Sequence, residues 1–425
     1  VTTALDLDAV RAAFPSLQQG EVFLDNAGGS QTLGVVVERM ADYLLTSNVQ
    51  HGASYATSRL ALDRFDEGVT AMARWVNAAS ADEIVMGPST TSLLDTLARS
   101  MTDRISAGDE IVVTEADHES NIGPWVRLAE ATGARLRWWR VRPEATRLDI
   151  DDLDSLLTER TRMVAVTHVS NVLGEIVPVQ EVARRAHACG AEICVDGVAF
   201  APHRRVDVQD LDVDYYAISL YKVYGPHVAM LYGRRRCLEP LDSLNHYFIG
   251  RDEVPYKFQP GHPNYELTYA MSGLWPWVAS LAEAHRLPQG ADRAHLTWLF
   301  EQIAIHEQRL AAPLLEYLGA HPCVRIIGPA AADRRVRVPV ISFVVDRLAP
   351  AEIVGEVDRH GIGIRHGDFY AARLIDALGL RSGGGVVRVS AAHYNTAAEI
   401  ERLIEILDEV IGRQVAGVEQ RPPRC

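Results

Sequence analysis

The stretch Ala217-Ile218-Ser219-Leu220-Tyr221-Lys222-Val223-Tyr224-Gly225-Pro226 decides how the rest of the chain is read. A β-branched and aromatic run ends in one lysine, and a Gly-Pro turn follows at once. Hydroxyls at Ser219 and Tyr221 flank that lysine, and an apolar run, Val228 to Leu231, leads away from it. A lysine at a strand-to-turn junction among apolar neighbours loses the hydration that favours its charged form. Its pKa is expected to fall, and a neutral amine can form a Schiff base. The window by itself also describes a surface lysine in a loop; what overturns that reading lies elsewhere in the chain.

Working outward, short apolar strands alternate with helical patterns from about Leu60 to Tyr232. Expected strands are Glu83–Met86, Glu110–Thr114, Arg135–Val141, Met163–Thr167, Glu192–Val195, Tyr215–Ile218 and Val228–Leu231. Expected helices between them include Thr91–Arg104, Asn121–Ala131 and Val179–Ala188. Such alternation reads as an α/β fold, a mostly parallel seven-stranded sheet with helices on both faces. A linker rich in Pro, Gly and aromatics runs from Leu238 to Trp277, and an amphipathic helix from Arg293 to Leu318 leads into a second unit. There the pattern gives strands at Val338–Val345 and Ile362–Arg365 and helices at Ala351–Arg359 and Ala397–Ile411.

The 425 residues suffice for two domains sharing an interface. The expected division is an N-terminal arm over 1–30 that packs on the small domain, a large domain over 31–285 and a smaller C-terminal α/β domain over 286–415. A disordered tail over 416–425 would leave Cys425 without a structural role. A formal net charge of −14 argues against a nucleic-acid or anionic-membrane partner. No apolar run approaches the roughly 18 residues of a membrane span, and Val1 to Asp8 carries no secretory signal pattern. Cytoplasmic residence is expected. The five cysteines form no metal-like cluster, so no metal is expected.

Ligands in open α/β folds sit beyond the carboxyl ends of the strands, and several polar residues fall just there. Gly87-Pro88-Ser89-Thr90-Thr91 offers hydroxyls and free N–H groups at a helix start, an anion site suited to phosphate. His118 could stack on an aromatic ring or relay a proton, and Asn171 could bond a ring hydroxyl. Asp196 closes the apolar run Ile193-Cys194-Val195, where a carboxylate is costly unless a cation meets it. Pyridoxal 5'-phosphate needs a lysine, a carboxylate for its ring nitrogen, a phosphate cup and a ring to stack on. Each residue has an ordinary explanation, as a cap, a turn or a buried ion pair. Together, in this order, they point to that cofactor.

Longer motifs carry a resemblance. The segment Asp117-His118-Glu119-Ser120-Asn121-Ile122-Gly123-Pro124-Trp125 is similar to Glu-His-His-Ala-Asn-x-x-Pro-Trp of the class V aminotransferases. These are fold-type I pyridoxal-phosphate enzymes that include cysteine desulfurases, selenocysteine lyases and isopenicillin N epimerases. Ser170-Asn171-Val172-Leu173-Gly174, Ser219-x-x-Lys222 and Tyr224-Gly225-Pro226 also resemble that family, from Phe23-Leu24-Asp25-Asn26-Ala27 to Tyr394-Asn395-Thr396. The resemblance implies Lys222 as the Schiff-base lysine, Asp196 as the ring-nitrogen partner, His118 stacked on the ring and Asn171 at the ring oxygen. It gives Ser89, Thr90, Ser219 and Tyr221 to the phosphate. It gives the substrate's α-carboxylate to Arg388, with Arg365, Tyr370, Asn26 and Ala27 as further substrate contacts. His262 and Asn264, in a turn resembling Gly-Thr-Pro-Asn, would reach a neighbouring subunit's phosphate, which implies a homodimer.

Three departures bear on the reaction. Tyr221 stands where the family has His, losing proton capacity near neutral pH. Asp196-Gly197-Val198-Ala199 stands where desulfurases have Asp-Gly-Ala-Gln. Arg365-His366-Gly367-Asp368-Phe369-Tyr370-Ala371 resembles Arg-x-Gly-x-x-Cys-Ala, with Tyr370 in place of the persulfide cysteine. The leading expectation is therefore Cβ–S cleavage of an amino acid without a persulfide. Transamination, epimerisation and decarboxylation-linked deamination stay open, and a non-catalytic scaffold is the reading from a different class.

Overall fold

Residues 4–290 and 292–419 are described in the computed structural model of the chain. The strands of the first half are β1 (Val22–Phe23), β2 (Ile84–Gly87), β3 (Glu110–Thr114), β4 (Arg135–Trp139) and β5 (Thr161–Thr167). They continue with β6 (Glu192–Asp196), β7 (Tyr215–Ser219) and β8 (Ala229–Gly233). A seven-stranded sheet runs in the order β2-β8-β7-β6-β5-β3-β4. The pairings among β7, β6, β5, β3 and β4 are all parallel, and β8 pairs antiparallel to both β7 and β2.

Period-two alternation explains how one sheet serves two cores. Ile111 and Val113 pack with Leu93, Leu97 and Trp125 on one face, from the helices Thr90–Ser100 and Gly123–Thr132. Val112, Val164 and Ile193 face the other way and pack with Val182 and Ala186 of the helix Val179–Ala188. Every residue of β3, β7 and β8 is buried, the pattern of strands covered on both sides.

The C-terminal unit holds β9 (Val324–Ile327), β10 (Val340–Val345), β11 (Ile362–Gly363), β12 (Arg365–Gly367) and β13 (Val386–Ser390). Its antiparallel sheet is ordered β12-β13-β10-β9. The helices Asp292–Ala320, Pro350–Asp358 and Ala397–Glu419 cover it through Leu314, Leu318, Ile353, Ile400 and Leu403.

Several expectations need correction. The strand expected over Ile362–Arg365 is two strands: β11 pairs parallel with β1, whereas β12 joins β13. The break follows from the two segments serving different sheets. β9 and β13 were not expected as strands. The expected linker contains the helices Tyr265–Ala270 and Leu274–Ala284, the second carrying Pro276 in its first turn, where a missing N–H costs no helical bond. The last helix continues to Glu419, so the tail expected from 416 starts within it; residues 420–425, with Cys425, lie outside the described residues. No helix among the described residues is long and apolar enough to cross a membrane.

The two units meet at the strand ends. Gly174 has φ +68°, and a Cβ there would lie 2.2 Å from the Val340 carbonyl oxygen. Its own carbonyl accepts the Val338 N–H at 3.0 Å, and Ser342 Oγ donates to the Val172 carbonyl at 2.6 Å. The Ser170–Gly174 segment is thus fitted against β10, and it holds Asn171 at the seam.

Candidate active site

Ser89, Thr90, His118, Asn171, Asp196, Ser219, Tyr221 and Lys222 line one cavity beyond the strand ends. They come from the ends of five strands: Ser89 and Thr90 follow β2, His118 follows β3, Asn171 follows β5, Asp196 closes β6, and Ser219, Tyr221 and Lys222 close or follow β7. Lys222 closes the 3₁₀ turn Leu220–Lys222 after β7, which is held by Leu220 N–H on the Val228 carbonyl at 2.8 Å. The Ser30 N–H donates to the Tyr221 carbonyl at 3.1 Å and fixes the turn from the N-terminal side.

Lys222 is buried, and its pKa falls to about 8. Burial is the main cause and repulsion from Arg388 adds to it, while Asp196 and Asp25 oppose. The expected depression is therefore present, with a second cation as an unforeseen contributor. Asp196 ends β6 fully enclosed, and burial pushes its carboxyl up. The Val198 N–H at 2.9 Å, Lys222 and Ser120 pull the other way. Glycine is needed after it, because a Cβ at Gly197 would lie 1.9 Å from the Tyr216 ring.

His118 precedes the 3₁₀ turn Glu119–Asn121, and its Nδ1 accepts the Ser120 N–H at 3.0 Å. The neutral ring therefore carries its proton on Nε2. Burial, with Lys222 and Arg388 adding, lowers the pKa of His118 to about 4, so the ring stays neutral near pH 7. The Ser89 hydroxyl accepts the Ser92 N–H at 3.1 Å, as an ordinary N-cap does. The Thr90 and Ser219 hydroxyls meet at 2.7 Å beside the start of the helix Thr90–Ser100, leaving its positive end for an anion. Tyr221 lies flat on His227, 4.8 Å between centroids, and burial raises its pKa, so the phenol keeps its proton.

A second cavity opens from the first and is lined by Ala27, Arg365, Asp368, Phe369, Tyr370 and Arg388. Arg388, on β13, is 2% exposed and donates to Asp25 Oδ1 at 2.8 Å and to the Asn171 carbonyl at 3.2 Å. Arg365 is largely exposed and lies 3.7 Å from Asp25 Oδ2. The Tyr370 ring is 73% exposed and lies 5.3 Å from that of His118.

One expected residue, Asn26, is not brought here, and His262 and Asn264, expected at a neighbouring subunit's phosphate, lie apart from Lys222's cavity. Asn26 is buried, and its amide donates to the Phe23 and Ser390 carbonyls at 2.9 Å and accepts from Tyr394. Its side chain is committed to joining the N-terminal segment to β13. His262 and Asn264 line a separate cavity with Gln50 and Tyr265. Asn264 caps the helix Tyr265–Ala270, accepting the Leu267 N–H at 2.9 Å.

Two residues that matter were missed. Asp25 is the partner of Arg388. Asp117 is fully buried beneath His118, where its carboxylate accepts from Thr114, from Asn121 at 2.6 Å and from the Thr167 N–H at 3.0 Å. It ties the His118 loop to the ends of β3 and β5. Burial, with nearby Asp196, raises its pKa to about 8. Its alignment with the motif's glutamate was the available signal.

Pyridoxal 5'-phosphate fits this residue set. Asn171 Oδ1 is buried with no hydrogen-bond partner in the described protein, an acceptor that a ring hydroxyl would satisfy. A cationic ring nitrogen would likewise offset the cost of the buried Asp196 carboxylate.

A family model described as Aminotransferase class-V matches residues 22–403. The chain belongs to the class V aminotransferase family. It is 40% identical over 417 residues to the aminotransferase-like protein FGM3 of Gibberella zeae, covering 96% of this chain and 100% of that one. It is 34% identical to the cysteine desulfurase-like protein ustD of Aspergillus flavus, covering 96% of this chain and 91% of the relative. Among solved structures, the cysteine desulfurase CsdA of Escherichia coli superposes with a TM-score of 0.80 at 27% identity, over 96% of this chain and 99% of the other. This class V aminotransferase family member is accordingly a pyridoxal-phosphate-dependent enzyme of fold type I.

Proposed function

We propose that this class V aminotransferase family member cleaves the Cβ–S bond of a small amino acid and releases free sulfide or thiol, with no persulfide on the protein. The observation that carries this reading is Tyr370 at the cavity mouth, on the loop whose motif in desulfurases supplies a cysteine. Among the described residues, Cys189, Cys194, Cys237 and Cys323 line neither cavity.

When bound, the cofactor's protonated ring delocalises the electron pair left on Cα as a bond there breaks. The protein's residues do the rest. Asp196 would keep the ring nitrogen protonated, and His118 would cover the ring as a neutral imidazole. Thr90 and Ser219, at the positive end of their helix, would hold the phosphate. Arg388 would receive the α-carboxylate with its donor fork. Lys222 would hold the cofactor through its amine and would take up the substrate's Cα proton; a pKa near 8 suits a base working near neutrality. The Cβ–S electron pair leaves on sulfur as a thiolate. The remaining three-carbon fragment takes up water to give pyruvate and ammonia, so atoms and charge balance.

A homodimer is part of the proposal. Val37, Leu44, Leu45, Tyr55, Leu60 and Leu62 expose apolar surface on the two helices Gly34–Thr46 and Ala56–Val76 and the turn between them. His262 and Asn264, which line a different cavity from Lys222 within one chain, would then serve the partner's phosphate. A cytoplasmic setting is consistent with free thiols at all four described cysteines.

The test is to mix the holoenzyme with L-cysteine and assay sulfide and pyruvate. Sulfide and pyruvate in equal amounts support the lyase. A substrate-dependent absorbance change with no sulfide overturns it, and conversion of an added keto acid to its amino acid would favour transamination.

A further inference from the structure

The loop after β12 does more than line the cavity. Phe369 and Tyr370 have φ of +54° and +58°, the left-handed region that side-chain-bearing residues seldom adopt in succession. Such backbone persists where its surroundings hold it. Here the Phe369 carbonyl accepts Asn171 Nδ2 at 2.9 Å, and the Tyr370 carbonyl accepts the Glu119 N–H at 2.8 Å. The corner is therefore fastened to the segments carrying Asn171 and His118. Its unusual turn aims the Phe369 ring at Arg388, whose guanidinium carbon lies 3.8 Å from the ring centroid.

That contact matters because Arg388 has few other constraints. Asp25 holds one end of its fork and the Asn171 carbonyl takes another donor, while Nε is buried with no partner. These two hydrogen bonds, one from each terminal nitrogen, lie near the guanidinium plane and constrain its tilt out of that plane least. A ring stacked on its face fixes the plane, and a flat fork binds a carboxylate with two bonds only when its plane is fixed. Cation–π contact is strongest where water is excluded, as at a side chain 2% exposed.

We propose that Phe369 is a positioning residue that sets the plane of the Arg388 guanidinium for the substrate's α-carboxylate, through the face of its ring. The inference rests on the reading that Arg388 receives that carboxylate. Phe369 acts through Arg388.

Glycine suits the left-handed backbone at 369, so Phe369→Gly removes the ring while keeping the corner. Phe369→Leu removes the aromatic face at similar bulk, in case the glycine variant folds poorly, and Phe369→Tyr restores the face. Holoenzyme is titrated with L-alanine and, separately, with ethylamine, which lacks the carboxylate, and binding is read from the cofactor's absorbance. The expected result is L-alanine affinity weakened roughly 5- to 30-fold in the glycine and leucine variants, recovered in Phe369→Tyr, with ethylamine affinity unchanged. Equal weakening toward both amines, or none toward L-alanine, overturns the proposal. Arg388→Lys separates the underlying reading. If it weakens L-alanine while the Phe369 variants do not, only the role of Phe369 falls. If it leaves L-alanine unaffected, the carboxylate reading falls and the proposal with it.

Discussion

The Glu119 carboxylate grips the Arg373 guanidinium through both oxygens, at 3.0 and 3.1 Å, joining the His118 loop to the helix Ala372–Ala377. Both side chains are more than a third exposed, so the pair itself contributes at most about 1 kcal/mol. Its effect is local. Arg373→Ala is expected to leave the unfolding midpoint nearly unchanged while speeding amide hydrogen exchange over Gly367–Ala371. Unchanged exchange in that loop would show that the backbone bonds alone hold it.

Lys222 supplies a pH dependence that can be read on the apoprotein. Its pKa of about 8 lies below the ordinary lysine value because of burial and Arg388, so the reactive neutral amine is the minority form at pH 7. Capture of added pyridoxal phosphate, followed by absorbance, should accelerate by about tenfold per pH unit and level off above about pH 8. A rate still climbing through pH 10 would mean an ordinary, hydrated lysine.

His118 should make the apoprotein sensitive to acid. The folded pKa of about 4 lies below the unfolded 6.5, through burial and the cations Lys222 and Arg388, with Asp368 opposing. As pH falls through this window the unfolded chain takes the proton first, so stability present above pH 6.5 is lost by pH 4. The loss attributable to this site is on the order of 3 kcal/mol. Urea titrations at pH 7 and pH 4.5 should show a smaller drop for His118→Phe than for the parent chain.

Asp196 and its neighbour should separate chemistry from packing. Asp196→Asn keeps the shape and removes the charge, so the apoprotein should fold as well as the parent while turnover falls roughly 10²-fold or more. Gly197→Ala should behave in the opposite way. Its Cβ would overlap the Tyr216 ring, and overpacking of this kind costs about 1–3 kcal/mol. Chemical denaturation and steady-state turnover, measured on both variants, distinguish the two effects.

Much of the large sheet could be read from the chain because its strands are short runs with apolar residues on both faces. Glu110–Thr114 and the helix Val179–Ala188 lie where expected. Val386–Ser390 was passed over although its valine run is a strand signal, and its buried arginine's partner, Asp25, is 363 residues away, so no local pattern marks the ion pair. The Phe369–Tyr370 corner escaped notice for a similar reason: its left-handed backbone is imposed by Asn171 and Glu119, far away in sequence. The strand-end residues from Ser89 to Lys222 do meet in one cavity. Asn26 does not join them, because its side chain is committed to the Phe23 and Ser390 carbonyls.

The account stands or falls on the lysine that closes the turn after β7. Borohydride reduction of the holoprotein, digestion and mass spectrometry locate the residue that carries the cofactor. The predicted result is a single reduced adduct on Lys222, absent from Lys222→Ala. An adduct on another lysine, or one that persists in Lys222→Ala, would contradict the account.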